Sequence, residues 1–294
     1  MTEFWGSLDL DITRRALLAS LLIGFANGYV SGLVVLKKSA LKVGTLSHGL
    51  LPGIAISVMI LGLHQWSVLV GAVVAALLMG LGSLFVARTS RLDQDTALGI
   101  LYTAGFAGGF ILLIRLGIRQ KLDEWLFGGL MGMADSDLWI AFAISAFAVL
   151  ALTAMQRPIL ILLFEPNVAA SLGVPVRLLN YALLSIVILV LVSSLQAVGC
   201  ILSVGLLVAP AATIYMFSNA APALFWGGGI LGAAGSCAAL VLSYQLNWPA
   251  GSTIVLLLGT LFALAYIFSP KYGLFRPRGR TPGKADGVPR RVQR

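Results

Sequence analysis

The sequence predicts an all-α membrane protein: a single bundle of eight or nine transmembrane helices. Three observations carry that prediction. Of 294 residues, 59% are hydrophobic and 11% charged, against about 25% charged in soluble domains. Nine apolar segments lie close to the ~20 residues that a helix needs to cross a bilayer core. The basic residues between those segments sort onto alternate sides.

In chain order the segments are 16–36, 39–63, 67–87, 96–116, 137–155, 178–198, 199–217, 221–244 and 249–268. Residues 1–15 form a short N-terminal segment and 16–268 the transmembrane domain. Residues 269–294 form a basic tail rich in Pro, Gly and Arg, for which disorder is expected. Glu3, Asp9 and Asp11 precede Arg14 and Arg15, which does not read as a cleavable leader. Only Gln196 and Gly199 interrupt the sixth and seventh segments. A re-entrant or broken helix there reduces the count to eight.

Placing the N-terminus outside and the C-terminus inside puts fifteen of the twenty Lys and Arg residues on the inner side. This is the arrangement that the positive-inside rule favours, in a multi-pass protein of the cytoplasmic (inner) membrane. Trp5, Trp66, Trp125, Trp139 and Trp248 fall at the outer boundary as an aromatic belt, with Trp226 the exception. The net charge of +9 thus reports topology, and no nucleic-acid partner is expected. Cys200 and Cys237 sit in apolar segments without CxxC spacing and read as inert thiols. Small residues recur at four-residue spacing (Gly24, Gly28, Gly32; Gly105, Gly109; Gly228, Gly232, Ser236), a pattern that lets membrane helices pack closely.

The stretch from Val43 to Gly53 is the first with chemistry in it. His48 is one of two histidines, and Pro52 follows four residues later. Proline has no N–H to give, so the His48 carbonyl would be freed inside a membrane segment. If its helix starts near Ser39, His48 lies roughly 13 Å along the axis, close to mid-bilayer, provided that Lys42 snorkels back to the inner surface. Neutral imidazole suits zinc, manganese or iron, and Thr45 and Ser47 offer hydroxyl oxygens. The plainer reading is a histidine hydrogen-bonded between helices. Pro210, in Ala209-Pro-Ala-Ala-Thr213, frees the Leu206 carbonyl in the same way.

In the fifth-to-sixth connection, Pro166 suits the first turn of a helix, and Gly173 with Pro175 suits its end. The segment Glu165, Pro166, Asn167, Val168, Ala169 through Leu172 and Gly173 therefore predicts a short capped helix on the inner side, either a docking element or a connector. Asp95 is placed to cap the fourth span and to meet its dipole. Asp123, Glu124, Asp135 and Asp137 lie outside, as ordinary loop acids or as receivers of a cation or a delivery protein. There is no GxxxxGK[ST], HExxH or GxSxG motif. A hydrolase is not predicted, and ATP is not handled through a phosphate loop.

Taken in order, Ser47-His-Gly-Leu-Leu-Pro-Gly53, Asp95-Thr-Ala-Leu-Gly-Ile100, Leu126-Phe-Gly128, the 164–175 loop, Leu195-Gln-Ala-Val-Gly199 and Leu206-Leu-Val-Ala-Pro-Ala-Ala-Thr213 resemble the permease subunit of ATP-binding-cassette importers for zinc, manganese or iron. The resemblance covers roughly residues 16–268. It implies a fold similar to the cobalamin and siderophore importer permeases, paired as a homo- or heterodimer. It also implies a cytoplasmic ATPase docked on the Glu165–Gly173 helix and an extracytoplasmic metal-binding protein delivering cargo. The divalent metal ion is transported, no cofactor is held permanently, and the chain itself is not an enzyme. His48 matches the histidine that the family places in its cation path. One position departs: where the family carries an acid four residues before that histidine, this chain has Gly44. The alternative is a stand-alone, ion-coupled secondary transporter, but that calls for paired intramembrane acids and the spans carry none.

Overall fold

The computed structural model describes residues 11–117, 125–200 and 202–271, and among these there is no strand. The chain folds as α1 (Asp11–Leu36), α2 (Ala40–His48), α3 (Leu50–Leu61), α4 (Gln65–Thr89) and α5 (Gln94–Arg115). A single 3-10 turn at Leu130–Gly132 leads into α6 (Asp135–Ala154), α7 (Gln156–Phe164) and α8 (Pro166–Ser171). The rest is α9 (Val176–Ser193), α10 (Leu195–Val198), α11 (Ser203–Tyr215), α12 (Ala221–Leu246) and α13 (Ala250–Phe268). Among the described residues eight helical stretches are long and apolar enough to cross a membrane, with α2 and α3 together forming one of them, Ala40–Leu61.

The seventh apolar segment is not a full span. Its helix, α11, has 13 residues, about 20 Å at 1.5 Å per residue, which falls short of a ~30 Å hydrocarbon core. The break lies earlier than the boundary expected from the sequence. The chain leaves α9 at Ser193, makes the one-turn α10, and reverses at Gly199 with φ +86°. That turn is pressed against the backbone of the 126–128 loop: a Cβ on Gly199 would strike the Leu126 carbonyl, and one on Gly128 (φ +81°) the Ala197 carbonyl. Two glycines facing each other let two loops touch backbone to backbone, so the chain turns back before covering a full bilayer.

α1 is the central element. Its residues Ala26, Asn27, Tyr29, Val30, Ser31 and Val34 are completely buried. α12 runs antiparallel along it, Gly24 against Gly232 and Ser236, Gly28 against Gly228, and Gly32 against Leu224 and Phe225. Two of the small-residue rows noted in the sequence thus face each other. Tyr29 spans this seam, stacked near Phe25, tilted against Phe225 and hydrogen-bonded to Thr153 at 2.8 Å.

Side-chain contacts define the two ends of the bundle. Arg15 pairs with Asp135 at 2.9 Å, joining the starts of α1 and α6. At the opposite end Lys37 donates to Asn180 at 2.9 Å and Lys42 pairs with Asp95 at 3.0 Å, which gathers the end of α1 with the starts of α2, α5 and α9. Ser269 donates to the Met216 carbonyl at 2.7 Å, bringing the end of α13 to the end of α11. Of the tryptophans described, Trp66, Trp139 and Trp248 are exposed as a belt requires, but Trp125 is 5% exposed and belongs to the core. Its backbone carbonyl accepts from Cys200, so the loop folds inward beside the Gly199 turn. Trp5, Asp123, Glu124 and the tail beyond Lys271 lie outside the described residues. Among the described residues Cys200 and Cys237 form no disulfide.

Candidate cation site at the broken second span

The second span is broken where the proline predicts. α2 ends at His48, Gly49 bridges at φ −70°, and α3 starts at Leu50, which puts Pro52 in its first turn. Proline is tolerated there because early N–H groups have no partner within the helix. Pro52 is seated on α5. The backbone of Pro52 lies directly against Gly109, and its ring faces Gly105. The third row of small residues is therefore the bed for the break.

His48 is half-buried on the same side. Its ring lies 5.9 Å from Tyr102 at an interplanar angle of 30° and 5.9 Å from Phe106 at 89°. Phe106 in turn stacks near Phe110 at 6.3 Å. Among the described residues the imidazole has ring contacts but no hydrogen-bonding or charged partner. Among the described residues, the inter-helix hydrogen bonds of the plainer expectation are not found at this ring. Its nitrogens remain available to a ligand.

The other candidates divide. Ser47 is completely buried, and its hydroxyl donates to the Gly44 carbonyl at 2.8 Å. Successive helical residues project about 100° apart, so Ser47 faces the core while His48 faces α5. Thr45, three residues before His48, shares its face and is half-exposed. Its hydroxyl donates to the Leu41 carbonyl at 2.7 Å and retains a lone pair. Among the described residues no three of His, Cys, Asp or Glu cluster as a metal cage. At Gly44 a Cβ would meet Val204 of α11 at 3.6 Å, an ordinary contact. The position that carries an acid in the resembling family is thus bordered here by an aliphatic side chain.

Pro210 belongs to another junction. The Ala211 N–H next to it donates to the Ser31 hydroxyl at 3.0 Å, and Ser31 donates on to Gly28. This side chain ties α1 to α11 beside the proline. The sequence offered no sign of Tyr102, Phe106, Val204 or Ser31. Only the i, i+4 pairing of Tyr102 and Phe106 on one helix face hinted at a shared surface.

The cap of α5 is Asp93, not Asp95. Asp93 has the extended backbone that an N-cap needs (φ −72°, ψ 158°), and its carboxylate accepts from the Thr96 N–H at 3.4 Å and hydroxyl at 2.5 Å. Those bonds, the hydroxyl first, hold its pKa below the usual carboxylate value. Asp95 is already inside the first turn, where it lies near the positive end of the dipole and binds Lys42. Asp135 and Asp137 are occupied similarly at the start of α6, with Arg15 and with the Ala134 N–H at 2.9 Å.

The short connector helix forms as predicted, with Pro166 at its first position and Gly173 beyond it at φ +77°. Glu165 precedes it as the N-cap residue, with Asn167 in its first turn. Ala169 is buried and anchors the helix, whereas Phe164 (64%), Val168 (45%) and Leu172 (64%) point outward.

Comparison with known proteins accounts for this arrangement. The family model for the ABC 3 transport family matches residues 9–269. The manganese transport system membrane protein MntC of Halalkalibacterium halodurans is 35% identical over 91% of this chain and 90% of its own length. The manganese import system permease protein ScaB of Streptococcus parasanguinis is 33% identical over 92% and 96%. The structure of PsaBC from Streptococcus pneumoniae in complex with Fab superposes with a TM-score of 0.85 at 31% identity, covering 92% of this chain and 97% of that one. The match runs through the broken second span, the reversal at Gly199 and the short connector helix, and the chain belongs to the ABC 3 transport family as its membrane-spanning permease.

Proposed function

We propose that this chain carries manganese or iron inward across the cytoplasmic membrane, past His48, on energy from a separate ATPase. The observation that carries the reading is the half-buried imidazole with uncommitted nitrogens at a helix break, in a chain matched along its length by manganese permeases. Imidazole is a serviceable ligand for divalent first-row metals, zinc included, and the relatives' names favour manganese or iron. Thr45 lies on the same face and supplies an oxygen. With one imidazole from each chain at this site, the remaining ligands come from water or from a second permease subunit, the usual composition of such a core. Ser47 and Pro210 act as supports of the helices that present the site.

The basic end of the bundle, with Lys37, Lys38, Lys42 and Arg177, faces the cytoplasm by the positive-inside rule, so the N-terminus is outside and the C-terminus inside. There the exposed Phe164, Val168 and Leu172 offer an apolar patch on an anchored helix to the ATPase. An extracytoplasmic metal-binding protein delivers cargo at the other end. The test is uptake of Mn²⁺ by proteoliposomes holding the permease with its ATPase and binding protein. Uptake should require ATP and should fall about 10-fold or more in His48→Ala, a loss no smaller than that for outer-shell partners of a metal. Uptake without ATP would return the chain to a stand-alone carrier; undiminished uptake in the variant at equal membrane abundance would remove His48 from the path.

A further inference from the structure

A space that the transport reading does not use lies at the basic end, between α1, α2, α4 and α9. It is a cavity of about 340 Å³. Its deeper wall is aliphatic: Leu33, Val43, Leu46, Leu84, Leu184 and Val187. Lys37, Lys42 and Arg177 line the same cavity, together with Asn180. One of these charges is offset, since Lys42 pairs with Asp95. Lys37 has only the neutral Asn180 as a partner, and Arg177 has no acid partner among the described residues.

This is a poor surface for a passing cation, which two uncompensated positive charges repel. It has the complementary form for an amphiphile with an anionic head. We propose that the cavity is a binding site for one anionic phospholipid, its phosphate between Lys37 and Arg177 and the upper part of an acyl chain along Leu84, Leu184 and Val187. Basic pockets between spans at a membrane surface attract acidic headgroups, while an aliphatic wall beneath them suits the chain. Desolvation of the Lys37 ammonium, and after it the nearby Lys42 charge, lower the Lys37 pKa from the usual lysine value. A phosphate oxygen there would relieve both. Because Lys42 and Val43 also form part of the wall, an occupied site would brace the start of the helix that carries His48.

Native mass spectrometry of the full-length protein released from mild detergent tests this with phosphatidylglycerol and phosphatidylcholine as probes. One phosphatidylglycerol should be retained per chain, and phosphatidylcholine should not. Lys37→Gln with Arg177→Gln should weaken retention about thirtyfold, each basic residue near a headgroup carrying a factor of about five. The pair Lys37→Arg and Arg177→Lys should keep it. Leu84→Trp, which fills the aliphatic part and leaves the cations, should also lose the lipid, and it decides the matter if the double Gln variant does not fold. Equal retention by Leu84→Trp and wild type would overturn the proposal. So would displacement of the lipid by millimolar inorganic phosphate, which would make this a free-anion site. Loss of the lipid when the ATPase subunit binds would overturn it too, by assigning the cavity to that protein.

Discussion

Gly44 decides how strongly His48 can hold a cation. An acid at that position would share a helix face with the imidazole one turn away, and here the place is empty of charge. The space is not closed: a Cβ would meet only Val204 at 3.6 Å. Gly44→Asp should therefore be accommodated and should tighten Mn²⁺ binding roughly tenfold or more, since an opposite charge close to an ionised group is worth one to three logarithmic units. Titration of purified protein with Mn²⁺, followed by electron paramagnetic resonance, measures this. Unchanged affinity would mean that Gly44 and His48 do not serve one site. His48 itself was legible in the sequence, because a histidine four residues before a proline in an apolar run is rare chemistry in a membrane. Its aromatic walls were not, since Tyr102 and Phe106 lie more than fifty residues away and read as ordinary apolar positions. The separation of Ser47 from His48 follows from helix rotation, but which of the two would face the core needed the neighbours.

Among the elements, the connector helix α8 and the start of α5 show how local rules behave. Pro166 and Gly173 bracket α8 through backbone preferences that act within a few residues, so the sequence alone located it. What it could not supply is the outward aim of Val168 and Leu172, set by burial of Ala169 on the opposite side. Leu172→Asp should place a charge on that apolar face and reduce capture of the ATPase subunit about tenfold or more in a pull-down, the usual effect when an interface anchor worth at least ~1–2 kcal/mol is lost. Capture at the wild-type level would confine α8 to a connector. At α5 the sequence pointed to Asp95 as the cap, but the cap is Asp93, because a two-residue shift depends on where the backbone turns helical. Lys42 settles the role of Asp95 from another helix. The seventh apolar segment shows the opposite limit. Its composition reads as a span, yet the Gly128–Gly199 backbone contact, between loops some seventy residues apart, cuts it to 13 residues.

Across the whole molecule, α1 and α12 hold the bundle together. Lipid tails are as apolar as leucine, so nothing hydrophobic drives two membrane helices together; close backbone approach at small residues does. Gly28 faces the Gly228 carbonyl, and nothing flexible lies between them. Gly28→Leu should force the pair apart at an overpacking cost of about 1–3 kcal/mol or more, seen as a clear drop in thermal unfolding temperature of the detergent-solubilised protein. An unchanged midpoint would show that this seam is not what holds the fold. The same change should leave insertion into the membrane intact, because insertion depends on each segment's hydropathy rather than on packing.

That division is general in this protein. Composition, span length, the distribution of Lys and Arg, the His48–Pro52 pair and the bracketed connector helix were determined by the sequence, because each depends on transfer free energies or backbone preferences that act within a few residues. The tertiary structure alone decided that α11 stops short, that Trp125 turns inward, that Asp93 caps α5, that Gly105 and Gly109 form the bed for Pro52, and that Lys37, Lys42 and Arg177 share one cavity. Each of these depends on which distant segments meet, and in a chain this uniformly apolar, hydrophobicity does not distinguish one meeting from another; backbone shape at the glycines does.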